Sequence, residues 1–541
     1  MRAMNMKTVI AKTRLLPVLM VAVALLLTAT AQAAAPGITG TTFNLVASPA
    51  MISQPDGNLV YSWGYGCATG FTPTFLPAGL NPAGFCGAMQ IPGPTLIVHA
   101  GDTVTVNLTN SLPAAAGNTS ILFPGFVVVP TAGTGTPGLL TQEAAPGQTV
   151  TYTLTIPTTA AGTHSYYSGT QGDLQVEMGL YGALIVLPSA VPAACDGGVH
   201  ASNVVAQGAS SNAHLGVPEL DFRLAHAAYN HPEACYDREY LFQFSEMDIR
   251  IHRDAEEQVQ ARAGCVAGAI GCSLSVATEP YHPAYFLVNG RSMPDLMDTN
   301  YSPSYQHQPY NGDPHMHPGE LTLLRIVGQG RWQHPFHEHG NHVRILGRDG
   351  NLIVSASDPN SLAGPLLFTT TTTPGVAMDG IFYWTGKGLN WDAYAHNPTS
   401  TDPGALLTCT PDPNGYNTGA PTAINYFEWC QDHNKPLQAA PFGDVAGGGP
   451  ATLPDPNIFT NGTWYGGSPY LGPNATVRAV FNTGTTPPSG TVANPPATEA
   501  GYAFMWHSHN EREITTDNIF PGGMMMMMLV DSREFVIDES R

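Results

Sequence analysis

The sequence predicts an all-β protein, and three observations carry that expectation. Short runs rich in Val, Thr, Ile and aromatic residues recur, among them Thr103-Val104-Thr105-Val106-Asn107-Leu108 and Thr149-Val150-Thr151-Tyr152-Thr153-Leu154. Apolar and polar residues alternate within them, the period of a strand with one buried face. Gly (58) and Pro (47) punctuate these runs in a chain of 541 residues that is only 11% charged. Short strands separated by such turn residues read as sandwiches or barrels.

The N-terminus reads as an export signal spanning residues 1–33. Arg2, Lys7, Lys12 and Arg14 precede an apolar run from Leu15 to Ala29, and Ala31-Gln32-Ala33 supplies small residues for cleavage. The expected location is secreted or periplasmic, with no membrane span left after cleavage. Eight cysteines fall into sequence-local pairs, Cys67/Cys86, Cys195/Cys235, Cys265/Cys272 and Cys409/Cys430. In an exported chain that pattern reads as disulfides, with neighbour pairing the expected connectivity.

Residues 37–190 read as one β domain. Phe43–Ala47, Leu96–His99, Thr103–Leu108, Thr149–Leu154 and Gly182–Val186 are its expected strands. Gly101-Asp102 reads as a hairpin turn between the second and third of these. Residues 191–235 form a polar connector bounded by two cysteines. A second β domain spans 236–541, opening at Glu239–Phe244 and continuing through Phe286–Gly290 and Glu320–Ile326. A Pro/Gly/Asn-rich insertion occupies about 385–470, followed by strands at Val477–Phe481 and Ala503–His507.

Lys and Arg total 20 against 40 Asp and Glu, a net charge of −20. Nucleic-acid binding is thereby disfavoured, because no basic surface exists to displace phosphate counterions.

The chemistry concentrates in two histidine clusters. One is His334-Pro335-Phe336-His337-Glu338-His339-Gly340; the other is His507-Ser508-His509, followed by Gly522-Gly523-Met524. In a strand, His-x-His presents both imidazoles on one face, so His337, His339, His507 and His509 are the candidate metal ligands. The competing reading makes these imidazoles packing and hydrogen-bonding residues. His315-Met316-His317 is a third such pair, read with equal weight as added ligands or as an exposed loop. Met524–Met528 reads as a buried strand of adaptable side chains, with Met524 alone placed to ligate. Glu511, Arg512, Glu513 and Asp517 read as a charged loop held by local salt bridges. The weaker alternative gathers Ser508, His334 and Glu513 into a polar pocket. No Gly-x-Ser-x-Gly elbow surrounds Ser508, so a nucleophilic serine is disfavoured.

These motifs resemble the multicopper oxidases. Ile91-Pro92-Gly93-Pro94-Thr95 with Gly101-Asp102 is similar to the family's opening motif, and Gly179-Leu180-Tyr181-Gly182 to the close of its first domain. His334–Gly340 is similar to the copper motif of its last domain. The resemblance implies two cupredoxin-like Greek-key β-sandwich domains with long loop insertions, and copper as the cofactor. Zinc is a second metal that four imidazoles accept.

It also exposes departures. Thr119-Ser120-Ile121-Leu122-Phe123-Pro124-Gly125 stands where the family has His-Trp-His-Gly. Tyr166-Tyr167-Ser168-Gly169 stands where it has Tyr-His-Ser-His. His164 lies two residues from the matching position. Of the blue type 1 copper set, His334 and Met524 remain, while Ser508 replaces the cysteine and Glu513 the second histidine. The expected function is an exported copper-binding protein with a reduced histidine site and oxidoreductase chemistry by resemblance. The alternatives are a structural or surface protein that kept the fold, or an oxidase completed by a neighbouring subunit in a homo-oligomer. The electron donor is not readable from the sequence.

Overall fold

The computed structural model describes residues 35–81, 83–196, 221, 223–317, 319–384, 467–471, 492–493, 501–531 and 537. The signal segment, the Cys409/Cys430 pair, the strand expected at Val477–Phe481 and nearly all of the insertion lie outside these residues.

The first half opens with β1 (Gly37–Thr39), β2 (Thr42–Ser53), β3 (Leu59–Cys67), β4 (Thr74–Leu76), β5 (Leu96–His99) and β6 (Thr103–Asn110). Then come β7 (Val127–Pro130), β8 (Thr136–Pro137), β9 (Gln142–Glu143), β10 (Thr149–Thr155), β11 (Gly162–Tyr167) and β12 (Tyr181–Leu187). The second half carries β13 (Arg238–Met247), β14 (Tyr285–Val288), β15 (His315–Met316), β16 (Leu321–Gly328), β17 (His334–Glu338) and β18 (Val343–Arg348). It continues through β19 (Asn351–Leu352), β20 (Leu366–Leu367), β21 (Thr369–Thr372) and β22 (Ala377–Tyr383). The last are β23 (Gly467–Leu471), β24 (Val492–Ala493), β25 (Gly501–Ser508) and β26 (Met525–Asp531).

These strands build four main sheets, stacked as two β-sandwiches in the cupredoxin manner. An outer sheet ordered β3-β2-β6-β10-β7 packs on an inner sheet β11-β12-β5-β1-β4. A second inner sheet, β14-β13-β16-β22-β18-β19, packs on a second outer sheet, β15-β26-β25-β17-β21. Phe43, Trp63, Tyr65, Val106, Leu154 and Leu184 fill the first sandwich. Phe242, Phe244, Phe336, Phe382, Phe504 and Trp506 fill the second.

Burial follows the layers. β6 and β10 alternate buried and half-exposed residues, as strands of an outer sheet should. Every residue of β12 and β13 is buried, because the two inner sheets pack against each other as well as against their own partners. Ile97, Ile185 and Leu187 meet Leu241, Val327 and Ala377 across that seam. A buried polar knot ties it: Asp379 accepts from the Thr163 amide and hydroxyl (2.9 and 2.6 Å) and from the Tyr229 hydroxyl (2.7 Å). Arg325 balances the knot by pairing with Glu239 at 2.7 Å.

Two expectations are corrected. Gly101-Asp102 is not a hairpin, since β5 pairs in parallel with β1 and β12 while β6 pairs with β2 and β10 in the other sheet. The turn is a crossover, because Leu96 and Val98 on one strand and Val104 and Val106 on the next face the same core from opposite sides. The sequence reading also missed a helix at Ile249–Ala261, whose start is capped when the Asp248 side chain accepts from the Arg250 amide. It buries Ile251, His252 and Ala255 against the first sandwich.

Three expected disulfides are present, Cys67–Cys86, Cys195–Cys235 and Cys265–Cys272. No helix among the described residues is long and apolar enough to cross a membrane.

Candidate metal centre

Strand register places the four candidate imidazoles. β17 and β25 run antiparallel with His337 opposite His507, Phe336 opposite Ser508 and Glu338 opposite Trp506. Directly opposed residues share a face, and each i+2 partner joins them, so His337, His339, His507 and His509 project from one side. That side is the face of the outer sheet turned away from its sandwich core. The opposite side carries His334, Phe336, Glu338, Trp506 and Ser508, all buried.

The four rings converge. The centroid of His337 lies 4.8 Å from that of His339, 5.7 Å from His507 and 4.8 Å from His509. His507 is 5.1 Å from both His339 and His509. The Nε2 atoms of His507 and His339 are 3.2 Å apart. In a tetrahedral site with metal–nitrogen bonds of about 2.0–2.1 Å, donor atoms stand about 3.3 Å apart, so this pair is spaced for a shared ion. Among the described residues, no three or more His, Cys, Asp or Glu side chains stand as placed in a geometry that would hold a metal ion. The His507 Nδ1 faces the Ser508 carbonyl at 2.8 Å and the His337 Nδ1 faces the Thr369 hydroxyl at 3.0 Å. Both contacts leave the Nε2 side as the coordinating edge of each ring.

Electrostatics also suits a cation. Burial, then the neighbouring His339, pushes the His337 pKa down to about 4. Burial lowers that of His507 as well. Imidazoles held neutral present lone pairs, the form a metal requires. The Trp506 indole donates to the His339 carbonyl at 2.9 Å and fixes the end of the first motif from the core side. The donor set therefore fits a borderline-soft divalent ion such as copper or zinc.

The other candidates stand apart from this cluster. His334 is fully buried on the core face, with Nε2 2.9 Å from Glu246 Oε2 and Nδ1 3.0 Å from Glu513 Oε2. The second contact is close enough for charge attraction but off the hydrogen-bond line. Burial opposes protonation of this ring, yet Glu246 and then Glu513 outweigh it and lift its pKa to about 9. Glu513 accepts from the Ser508 hydroxyl at 2.5 Å and from the Asn510 side-chain amide at 2.9 Å. The expectation of a solvated charged loop is thus corrected for Glu513. It is buried because it fills the space beneath His334. With a hydroxyl in place of a thiolate and a carboxylate in place of an imidazole, this pocket does not fit a blue copper. Met524 is buried in the second core beside it, its carbonyl accepting from the Ser508 amide at 3.0 Å.

His315 and His317 lie at the far edge of the same outer sheet, where His315 pairs with Leu529. Asp531 and Asp313 bracket the His315 ring at 2.6 and 3.3 Å, and together they raise its pKa well above normal against the cost of burial. His317 is buried, with Nδ1 3.0 Å from the Asp531 carbonyl. His164 packs edge-on against Phe126, its Nε2 2.9 Å from the Ala160 carbonyl.

In the first half, the two segments that lack the family's histidines still pair with each other. Leu122 and Tyr167 form an antiparallel bridge. Around it, Gln175 accepts from Thr119 and Ser168 at 2.9 and 2.7 Å and donates to the Asn118 carbonyl at 2.7 Å. Ser120 meets Thr170, which donates to Glu143 at 2.9 Å.

Sequence reasoning grouped Glu513 with His334 only as the weaker alternative and missed the second partner, Glu246. Glu246 accepts from the amides of Arg331 and Trp332 and from Tyr281, whose hydroxyl also reaches Glu177 at 2.7 Å. Burial raises the Glu177 pKa to about 8. A carboxylate closing the aromatic-rich run Tyr240-Leu241-Phe242-Gln243-Phe244-Ser245-Glu246 was the available signal.

Residues 84–191 match the multicopper oxidase family model. Over 100 residues the chain is 36% identical to the multicopper oxidase MCE of Talaromyces pinophilus, covering 18% of this chain and 15% of that protein. Over 98 residues it is 39% identical to an L-ascorbate oxidase of Brassica rapa subsp. pekinensis, covering 18% and 16%. The aligned segment thus spans a small part of either relative. Among solved structures, the multicopper oxidase mgLAC aligns over 92% of this chain and 88% of its own, at 15% identity and a TM-score of 0.43. The blue copper oxidase from Nitrosomonas europaea aligns over 90% and 85%, at 16% identity and a TM-score of 0.41.

Proposed function

From a chain whose residues 84–191 carry a multicopper oxidase domain, we infer an exported copper-binding protein that holds its ion through His337, His339, His507 and His509. The observation that carries this reading is the convergence of the four rings, with two coordinating nitrogens 3.2 Å apart. When bound, copper supplies one-electron redox and Lewis-acid chemistry to this face of the sheet.

The chain's own residues set what that site can do. Neutral imidazoles bind without first losing protons at ordinary pH. Thr369 and the Ser508 carbonyl orient the His337 and His507 rings from behind, the supporting role that outer partners play in metal sites. Ser508 points to the other face and offers no thiolate through which an electron would arrive. The clamped His334 gives no second copper in the adjacent pocket. The function is therefore copper binding at a reduced site, without four-electron oxidase chemistry by the family's usual route.

The test is metal analysis with electron paramagnetic resonance on protein matured with copper. About one copper per chain, absent from the His337→Ala/His507→Ala variant and lacking an intense visible band, is the expected result. Copper content unchanged by that double substitution overturns the site. Several coppers per chain together with oxygen consumption overturns the reduced-site reading and favours an oxidase completed by another subunit.

A further inference from the structure

The methionine run splits between the two faces of the outer sheet: three of its five side chains fill the sandwich core, while Met525, also buried, and half-buried Met527 lie on the other face. β26 pairs with β25 so that Met526 opposes Trp506 and Met528 opposes Phe504. Those methionines, with Met524, belong to the buried core. Met525 opposes His507, and Met527 opposes Met505. By alternation, these three thioethers share the outward face with the imidazole cluster and continue it along the sheet.

Three features set them apart from filler. Met505 and Met527 are half-buried, so they do not complete a close-packed interior. Outward strand positions ordinarily carry polar or β-branched residues, as Thr369 and Thr371 do on β21 of the same sheet. Directly opposed residues have Cβ atoms about 4.5–5.5 Å apart, and methionine has three rotatable bonds, so the sulfurs of Met505 and Met527 reach a common point. Met525 stands two residues along on that face. A further thioether lies close by: Met297 Sδ accepts from the Met527 amide at 3.5 Å, bringing it to the edge of β26.

We propose that Met505, Met525 and Met527 form a thioether site for a soft monovalent d10 cation of the copper(I) class, adjoining His507. Neutral sulfur donors favour such an ion over harder divalent ones, whereas the imidazoles suit the borderline divalent ions. Two chemically distinct sites then lie side by side on one face. Binding here is simple ligation, with no electron or proton transferred, and it does not require that the imidazole site be filled.

The probe is silver(I), a redox-inert ion of the same class, added to the full chain. Calorimetry and metal analysis should show one tightly bound silver, and X-ray absorption should show sulfur neighbours. The Met505→Leu/Met525→Leu/Met527→Leu variant, a volume-conserving swap, should bind it at least about tenfold more weakly, the loss that even outer partners of a metal site can cause. Its copper(II) uptake should be unchanged. The His337→Ala/His507→Ala variant should lose copper(II) and keep silver, which separates failure of this site from failure of the imidazole site. Unaltered silver affinity in the triple variant, or no sulfur neighbours, overturns the proposal. Should that variant misfold, peroxide footprinting of the wild-type chain decides the matter. Met505 and Met527 should be oxidised without silver and protected with it, and equal oxidation in both states overturns the proposal.

Discussion

Two paired segments, one in each half, gather very different side chains around their contact. In the first half, Leu122 bridges Tyr167, and the surrounding Thr119, Ser120, Ser168 and Gln175 consume one another's hydrogen bonds. In the second half, His337 opposes His507, and four rings turn the same face outward. The first arrangement is a closed polar network with its donors and acceptors matched. The second brings the Nε2 atoms of His507 and His339 to 3.2 Å of one another. The match to the multicopper oxidase family model lies in the first half, at residues 84–191, whereas the proposed metal donors lie in the second. Fold and chemistry are separable, because a site rests on a few side chains at fixed register.

The sharpest way to break this comparison is to remove donors from one motif and hydrogen bonds from the other. His337→Ala/His507→Ala should abolish copper binding while leaving the circular-dichroism spectrum intact. Glu513→Ala should cost the most stability, about 3–5 kcal/mol in denaturant unfolding, because it removes one of the two carboxylates that balance a buried charged imidazole and leaves the Ser508 hydroxyl without its acceptor. Gln175→Ala in the first half should leave copper content unchanged yet cost about 1–3 kcal/mol through the unsatisfied groups it leaves behind.

The pH dependence of stability follows from the same buried groups. The native His334 pKa is raised to about 9, so its contribution is complete below its unfolded value and is lost as pH rises through the folded one. Glu177, raised to about 8, is held in its protonated form, so it also favours the native state at low pH and penalises it as pH climbs. In both cases the native state holds the extra proton. Stability should fall between about pH 5 and 9, by about 1.4 kcal/mol per pH unit for each such proton. A stability that rises over that window contradicts the clamp. The smallest effect is expected for Trp506→Phe, which removes the bond to the His339 carbonyl and should cost about 1 kcal/mol.

Much of this was legible in the letters. Alternation in Thr103–Leu108 and Thr149–Leu154 announced strands of an outer sheet, and His-x-His spacing announced a shared face. The weaker alternative, which gathered Ser508, His334 and Glu513 into one polar pocket, describes what the structure shows there. Glu513 reads as a surface charge until its burial beneath His334 is seen, because the partner Glu246 lies on a strand far away in sequence. The crossover at Gly101-Asp102 mimics a hairpin because turn residues encode a reversal and not the sheet that receives the next strand. The helix at Ile249–Ala261 was hidden by an all-β composition. The methionine run showed its alternation, but its division between core and imidazole face depended on pairing with Met505 and His507.

The central claim is that one ion is held by the imidazoles of a single outward face. Electron-spin-echo spectroscopy of the copper(II)-loaded protein counts the remote imidazole nitrogens coupled to the ion. Coupling to several equivalent imidazoles, reduced stepwise by His337→Ala and His507→Ala, is the predicted result. Copper coupled to no imidazole, or coupling untouched by either substitution, would contradict it.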